Sequence, residues 1–533
     1  MTPQGGQIAA QIELEEFVQS QVVRKRLLPR ALLVGLISGV VAVLFRVALQ
    51  ALESAKDLLI EHLPQSHLVT FCAIALIGTL GTLIATQIGR IDPDAGGSGI
   101  PQMKAVLEGH LALNWIRILW VKFFGSLTSL GSGLALGREG PTVQMGGAIG
   151  HGVGTMTGSN DRERRALTAA GAGAGLAAAF NAPLAGVTFV LEELQRDFQP
   201  IVFVAALLCA AVSTVISRLV SGQFPVFEVP HISPPPLGFI LIFVIVGAIG
   251  GLLSVVFNRG LLRSLRVFDS YKKFPIVVAI VVGLTLALAY QFSPALIGGG
   301  HNLSEIAIHN QVTLGGAVGF FAIRLVLIHI CYSTGVPGGI FAPLLSLGAL
   351  LGLISYDLTA LVIPHQAVSA ATFAVVGMCA MFAGVVRAPL TGVILIGEMT
   401  GSYDLLLPLL VASFSAYAVT EYLHDTPIYE ALLQRFSSLR EIEFKDQERE
   451  FIELEILPES LIVGKSIANA GLPKGILIVM CSQGGKDFLP NGSTTLTPHL
   501  KIMVISTSAR GLVELKNAVR KPETKGGEPR YLD

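Results

Sequence analysis

Gly137-Arg138-Glu139-Gly140-Pro141 opens an apolar segment in a chain of 533 residues that is 52% hydrophobic and only 14% charged. A carboxylate in such a place is costly and marks a functional position by default. Proline suits the first turn of a helix, and glycine lets the backbone come close to whatever it binds. The first amides of that helix lack internal partners and carry the positive end of the helix dipole. Glu139 therefore stands at a ready-made anion site while being itself an anion able to fill it. The motif implies an anion pathway with a built-in carboxylate gate.

The rest of the chain fits that setting. Mean hydropathy is +0.66, and 58 glycines and 27 prolines punctuate the apolar runs. Blocks of membrane-spanning length cover 31–45, 71–88, 201–216, 237–257, 276–290 and 405–422. The stretches 140–153 and 341–354 are interrupted by Gly and Pro and read as half-helices that start or stop inside the membrane. The fold class is an all-α polytopic membrane protein in contact with the lipid bilayer. Arg24, Lys25, Arg26 and Arg30 precede the first block and place the N-terminus in the cytoplasm. The polar, acidic stretch before them does not resemble a cleaved signal peptide.

Several other classes find no support. Lys plus Arg equals Asp plus Glu at 37 each, so net charge gives no sign of a nucleic-acid partner, and none is expected. The five cysteines show neither pairing nor metal spacing, and four lie in apolar segments as small hydrophobes. No metal and no cofactor are expected. No His-Glu-x-x-His, nucleophile elbow or intramembrane Asp pair points to an enzyme.

The membrane region repeats itself. Gly96-Gly97 matches Gly298-Gly299 at an offset of 202, and Gly133, Gly137, Pro141, Gly146 and Gly150 fall on Gly335, Gly339, Pro343, Gly348 and Gly352 at the same offset. Further on, Ala182-Pro183-Leu184, Gly186-Val187 and Glu192 meet Ala388-Pro389-Leu390, Gly392-Val393 and Glu398, the offset having grown to 206. Repeated halves with broken helices at matching places point to a transporter-like fold with its site between the halves near the bilayer midplane. Any single glycine reads more simply as a tight helix contact. The identities leave open whether the halves run parallel or inverted.

Three broken-helix starts can aim dipoles at one site: Gly97-Ser98-Gly99-Ile100-Pro101, the Glu139 motif, and Gly338-Gly339-Ile340-Phe341-Ala342-Pro343. A bare halide that must be released needs several weak donors, and amides, a hydroxyl and partial helix charges suit it better than a buried Lys or Arg. Ser98 offers the hydroxyl, with an N-cap as its plain alternative. Glu192 and Glu193 end the apolar segment begun at Ala182 and read either as a solvated helix end or as an inner proton station. Tyr429 follows the last long block, where composition favours an interfacial anchor. Arg138 either shapes the local potential or packs at an interface.

These motifs, in that order, resemble the CLC chloride channel and transporter family over roughly 25–440. Lys122-Phe123-Phe124-Gly125 and the run from Ala178-Ala179-Phe180-Asn181-Ala182 through Pro183-Leu184-Ala185-Gly186 add to the match. The resemblance implies an inverted-repeat bundle of tilted helices, a homodimer with one pore per subunit, and chloride held as substrate. Its donors would be the Ser98 and Tyr429 hydroxyls and the amides of Ile340 and Phe341. Glu139 would be the outer gate and proton acceptor. An acidic residue stands at the position of Glu193 in proton-coupled members and an apolar one in typical channels, which favours chloride/proton exchange over a passive, voltage- or pH-gated channel. Ser98 matches chloride-type members, whereas nitrate-preferring relatives carry Pro there. Ionised, Glu139 would take an anion position; protonated, it would swing away, so coupling follows from mutual exclusion.

Composition divides the chain into a cytoplasmic N-terminal segment (1–23), repeat 1 (24–225), repeat 2 (226–440), a charged linker (441–452), a small cytoplasmic α/β domain (453–520) and a polar tail (521–533). Apolar runs at 451–456, 475–479 and 501–506, with a turn at Pro490-Asn491-Gly492, give that domain its strands. It resembles the C-terminal regulatory domain of potassium-uptake proteins, the RCK or TrkA-C type, through Leu472-Pro473-Lys474-Gly475 and Pro490-Asn491-Gly492-Ser493-Thr494. His499 to Lys501 replace that domain's usual Gly-Asp. Such a domain implies a small ligand or dimer contacts. Eukaryotic CLC proteins usually carry paired CBS domains instead, so a prokaryotic source is expected, with both termini on the cytoplasmic side of the cell membrane.

Overall fold

Eight helices among the described residues are long and apolar enough to cross a membrane. The computed structural model describes residues 3–64, 66–230, 234–363, 368–439, 450–458, 460, 462–473, 475–483, 486–506 and 515. The chain divides into two units, Met1–Phe436 and Ser437–Asp533.

Six of the eight helices contain the apolar blocks read from composition. The other two are Leu314–Ser333 and Phe341–Val362. Arg324 and His329 interrupt the apolar run of the first, which is why hydropathy by eye passes over it. The second corrects the half-helix expectation. Phe341–Val362 is one unbroken helix of 22 residues, about 33 Å long, and Glu139–Met156 is unbroken over 18 residues. Their discontinuity lies at the start, not inside. The internal glycines serve close packing: a Cβ at Gly146 would collide with the Gly171 carbonyl, one at Gly150 with the Leu167 carbonyl, and one at Gly352 with the Phe373 carbonyl. One helix runs Pro3–His62, so the N-terminal segment continues without a break into the first span.

The repeat extends to the caps. Pro183 and Pro389 open matching helices, Pro183–Phe189 and Pro389–Thr400. Asn160 and Ser369, and likewise Asn114 and Thr313, cap matching starts with a side-chain oxygen. Asn181 (φ 55°) and Arg387 (φ 67°) end matching helices in the left-handed region. The backbone also refines the alignment. Gly97 and Gly99 (φ 58° and 89°) correspond to Gly298 and Gly300 (φ 71° and 94°), an offset of 201 where the identities suggested 202. Hydrogen bonds then cross reciprocally. Gly97 N–H donates to the Gly335 carbonyl at 3.2 Å and Gly298 N–H to the Gly133 carbonyl at 2.8 Å. Exchanging the halves maps one bond onto the other, as an approximate two-fold axis between the repeats requires.

The second unit holds a four-stranded antiparallel sheet: β1 (Glu450–Glu455), β2 (Ile476–Gln483), β3 (Lys486–Phe488) and β4 (Lys501–Ser506), in the order β1-β4-β2-β3. Ile456, Ile478, Cys481, Leu496, Ile502 and Val504 form its core. β1 begins inside the stretch read as linker, and β3 is too short and polar to announce itself. His499 takes a left-handed φ of 61° just before β4, the conformation for which glycine is the usual choice. Residues 441–449 of the linker and the tail at 521–533 lie outside the described residues.

Candidate functional site

Three glycine-rich loops are laced together by backbone bonds at the centre of the first unit. Gly137 and Gly339 form an isolated antiparallel bridge, each N–H donating to the other's carbonyl at 2.7 Å. Gly338 N–H donates to the Gly97 carbonyl at 2.9 Å. The starts of Ile100–Leu107, Glu139–Met156 and Phe341–Val362 are thereby brought together, so the three sequence motifs share one site. Absent side chains permit this approach: a Cβ at Gly140 would stand 2.6 Å from both the carbonyl and the hydroxyl oxygen of Ser98.

Glu139 is 2% exposed and lies across the start of the partner repeat's helix. Its Oε2 accepts from Ala342 N–H at 3.3 Å, while Arg138 Nε stands 3.8 Å from Oε1. Arg138 also donates to the Ala179 carbonyl at 3.5 Å. A carboxylate here meets free helix amides and one guanidinium, all favouring negative charge.

The Ser98 and Tyr429 hydroxyls are both buried and both without a well-formed hydrogen bond. Ser98 does not cap its helix, because Gly99 is the N-cap residue, so its hydroxyl is left for another partner. Its amide donates to the Tyr332 hydroxyl at 3.4 Å. Tyr429, near the start of Ile428–Leu439, is fully buried and not an interfacial anchor. Its hydroxyl lies in the electrostatic reach of Ser98, Tyr332, Glu139 and Glu193. Ile340 caps Phe341–Val362 and is fully buried. The Phe341 ring packs against Phe382, Phe180 and Phe189, at centroid distances of 4.6, 5.5 and 6.1 Å. That packing clamps the helix start whose amides face the site.

Glu193 is buried and not the solvated helix end that composition allowed, whereas Glu192 is partly exposed. Both sit on a single π turn, Val190–Gln195, which resets the side-chain register. Glu193 is 1% exposed and pairs with the equally buried Lys104, Nζ to Oε1 at 2.9 Å. Lys104 also reaches Glu430 Oε2 at 3.3 Å, and Arg196 reaches the same oxygen at 3.2 Å. Glu192 instead accepts from the Leu390 and Thr391 amides.

A cavity of about 640 Å³ opens onto Glu139 and Arg138, with Arg46, Glu53, Lys56 and Asp57 of the first helix in its wall. Sequence reasoning missed Lys104, Tyr332 and the Ala342 amide. Lys104 had one available signal, a lysine in the otherwise uncharged helix Ile100–Leu107, every residue of which is buried. Among the described residues no group of His, Cys, Asp and Glu could hold a metal ion.

The model of the family described as voltage gated chloride channel matches residues 80–421, and that of the TrkA-C domain matches 451–512. The chain is 37% identical over 414 residues to the H(+)/Cl(-) exchange transporter ClcA of Salmonella typhimurium, covering 76% of this chain and 87% of the relative. It is similar to the crystal structure of a slow cyanobacterial Cl-/H+ antiporter at 36% identity and TM-score 0.73, over 78% of this chain and 99% of that one. A eukaryotic CLC transporter aligns at 25% identity and TM-score 0.66, over 77% of this chain and 74% of the other.

Proposed function

The chain belongs to the voltage gated chloride channel family, known as CLC, and from that premise we propose that it exchanges chloride for protons across a membrane as a secondary active transporter. The observation that carries the mechanism is the Glu139 carboxylate resting on the Ala342 amide. Ionised, the side chain fills the positive end of Phe341–Val362 and closes the route from the cavity. Protonated, it loses that attraction and yields the place to chloride. Chloride further in is held by the Ser98 and Tyr429 hydroxyls and the amides of Ile340 and Phe341, weak donors that allow release.

The proton leaves Glu139 for Glu193, past the Tyr429 hydroxyl that lies within electrostatic reach of both. Lys104 holds Glu193 in its buried position, and the pair with Glu430 and Arg196 leads toward the other face. The basic residues before the first span put its N-terminal end in the cytoplasm. Glu53 and Asp57, near the helix's far end, line the cavity, so the cavity faces outward. We assign the protein to the cell membrane as a homodimer with one pore per subunit and both termini cytoplasmic. The TrkA-C unit serves ligand sensing or dimer contacts.

The test is proton movement into liposomes driven by an imposed chloride gradient. Uphill proton movement supports exchange. Chloride flux without it makes the protein a passive channel on the same fold.

A further inference from the structure

We propose a second anion site, built by residues 298–302 in the wall of the same cavity, where chloride is held before it meets Glu139. It presupposes the anion-transport reading above. Gly298 and Gly300 turn the chain into the eight-residue helix His301–Ile308 just as Gly97 and Gly99 do into Ile100–Leu107. The first cradle faces the chloride donors; the second has no assigned role. Gly300 is its N-cap and contributes no side chain, so the leading amides are open to a ligand.

Behind these amides lies Arg324, fully buried. Its Nε donates to Ser346 Oγ at 3.3 Å and its Nη1 to the Leu296 carbonyl at 2.8 Å. The remaining nitrogen, Nη2, has no partner, and a Cβ on Gly300 would stand only 2.6 Å from it. Among the described residues no carboxylate pairs with this guanidinium. A whole positive charge without a counter-ion is thus buried against a helix start, where an anion would compensate it. The repeat-equivalent Lys122 differs. It donates to the Ala95 and Gly97 carbonyls at 3.0 and 2.7 Å and braces its own loop.

Gly298, Gly299, Gly300, His301 and Asn302 all line the cavity, so an ion reaches them from solvent. The cavity also carries the carboxylates of Glu53, Asp57, Glu61 and Glu139 against Arg46, Lys56 and Arg138, while the loop itself bears no carboxylate and the neighbouring Glu305 is paired with His301 at 3.3 Å. Because the arginine sits behind the backbone and not in the ion's path, the site suits a small monovalent anion held loosely. That is what a way-station requires.

Bromide is the probe. Crystals grown in bromide and measured at the bromine absorption edge should show anomalous density over the amides of 300–302. Asn302→Asp, at an exposed position, supplies a tethered competitor and should remove that density. It should also raise the chloride KM several-fold in liposome flux, the deficit closing as chloride is increased. Arg324→Gln should do the same. Absence of bromide from the wild-type loop, or an unchanged KM in Asn302→Asp, overturns the proposal. Chloride-driven proton pumping by the wild type, measured in parallel, reports separately on the exchange reading.

Discussion

Glu192 and Glu398, equivalent carboxylates of the two repeats, each cap a helix of the other. Glu192 accepts from Leu390 N–H at 3.0 Å and from the amide and hydroxyl of Thr391 at 2.6 and 2.7 Å, at the start of Pro389–Thr400. Glu398 accepts from Leu184 N–H at 3.2 Å and Ala185 N–H at 2.8 Å, at the start of Pro183–Phe189. Charge-assisted bonds of this kind satisfy helix-start amides that the helix itself leaves unpaired. They also fasten the halves together beside the proton path.

Glu398→Ala should therefore destabilise the protein without touching any transport donor. Loss of two hydrogen bonds to a charged group is expected to cost about 2–4 kcal/mol. Thermal unfolding in detergent checks this, and surviving protein should still couple protons to chloride. Loss of coupling at normal stability would contradict the purely structural role.

Glu139→Ala should keep anion flux and lose proton coupling, since it removes the group that both blocks the route and carries the proton. Light-independent pH recording alongside a chloride electrode in the same liposome preparation separates the two fluxes.

Glu193→Ala should abolish proton movement and leave a chloride leak. If this variant and Glu139→Ala both pump protons normally, the assigned roles are wrong.

Lys104→Met isolates the ion pair. It strands Glu193 in a buried site, and breaking such a pair costs about 3–5 kcal/mol. The double variant Lys104→Met with Glu193→Gln should recover most of that loss in the unfolding midpoint, because no uncompensated carboxylate remains at that position.

Gly352→Ala and Gly319→Ala should differ although both lie inside helices. The Gly352 position abuts the Phe373 backbone, whereas nothing lies near an added Cβ at Gly319. Overpacking should cost about 1–3 kcal/mol at the first, and the second should gain about 0.5–1 kcal/mol. Unfolding midpoints decide.

Much of this was legible in the chain. Hydropathy marks six of the spans, because apolar content over about twenty residues is a local property. The Gly and Pro around Glu139, Ser98 and Phe341 mark helix starts for the same reason: caps and left-handed turns depend on a few neighbouring residues. The repeat is written in identities at fixed offsets. The glycines carried two meanings that sequence could not separate, turn at Gly97 and Gly99, contact at Gly146 and Gly352, since both demand a missing side chain.

What the sequence determined by itself was the list of parts: membrane helices, a doubled plan, three positive helix starts and two acidic residues. Tertiary structure alone decided the pairings: Glu139 with Ala342, Lys104 with Glu193 across 89 positions of chain, and each of Glu192 and Glu398 with the opposite repeat. Helix starts are set by interactions within a turn or two. The partner of a buried charge is set by which distant segments the fold brings within about 3 Å, the range over which hydrogen bonds and ion pairs repay the loss of water.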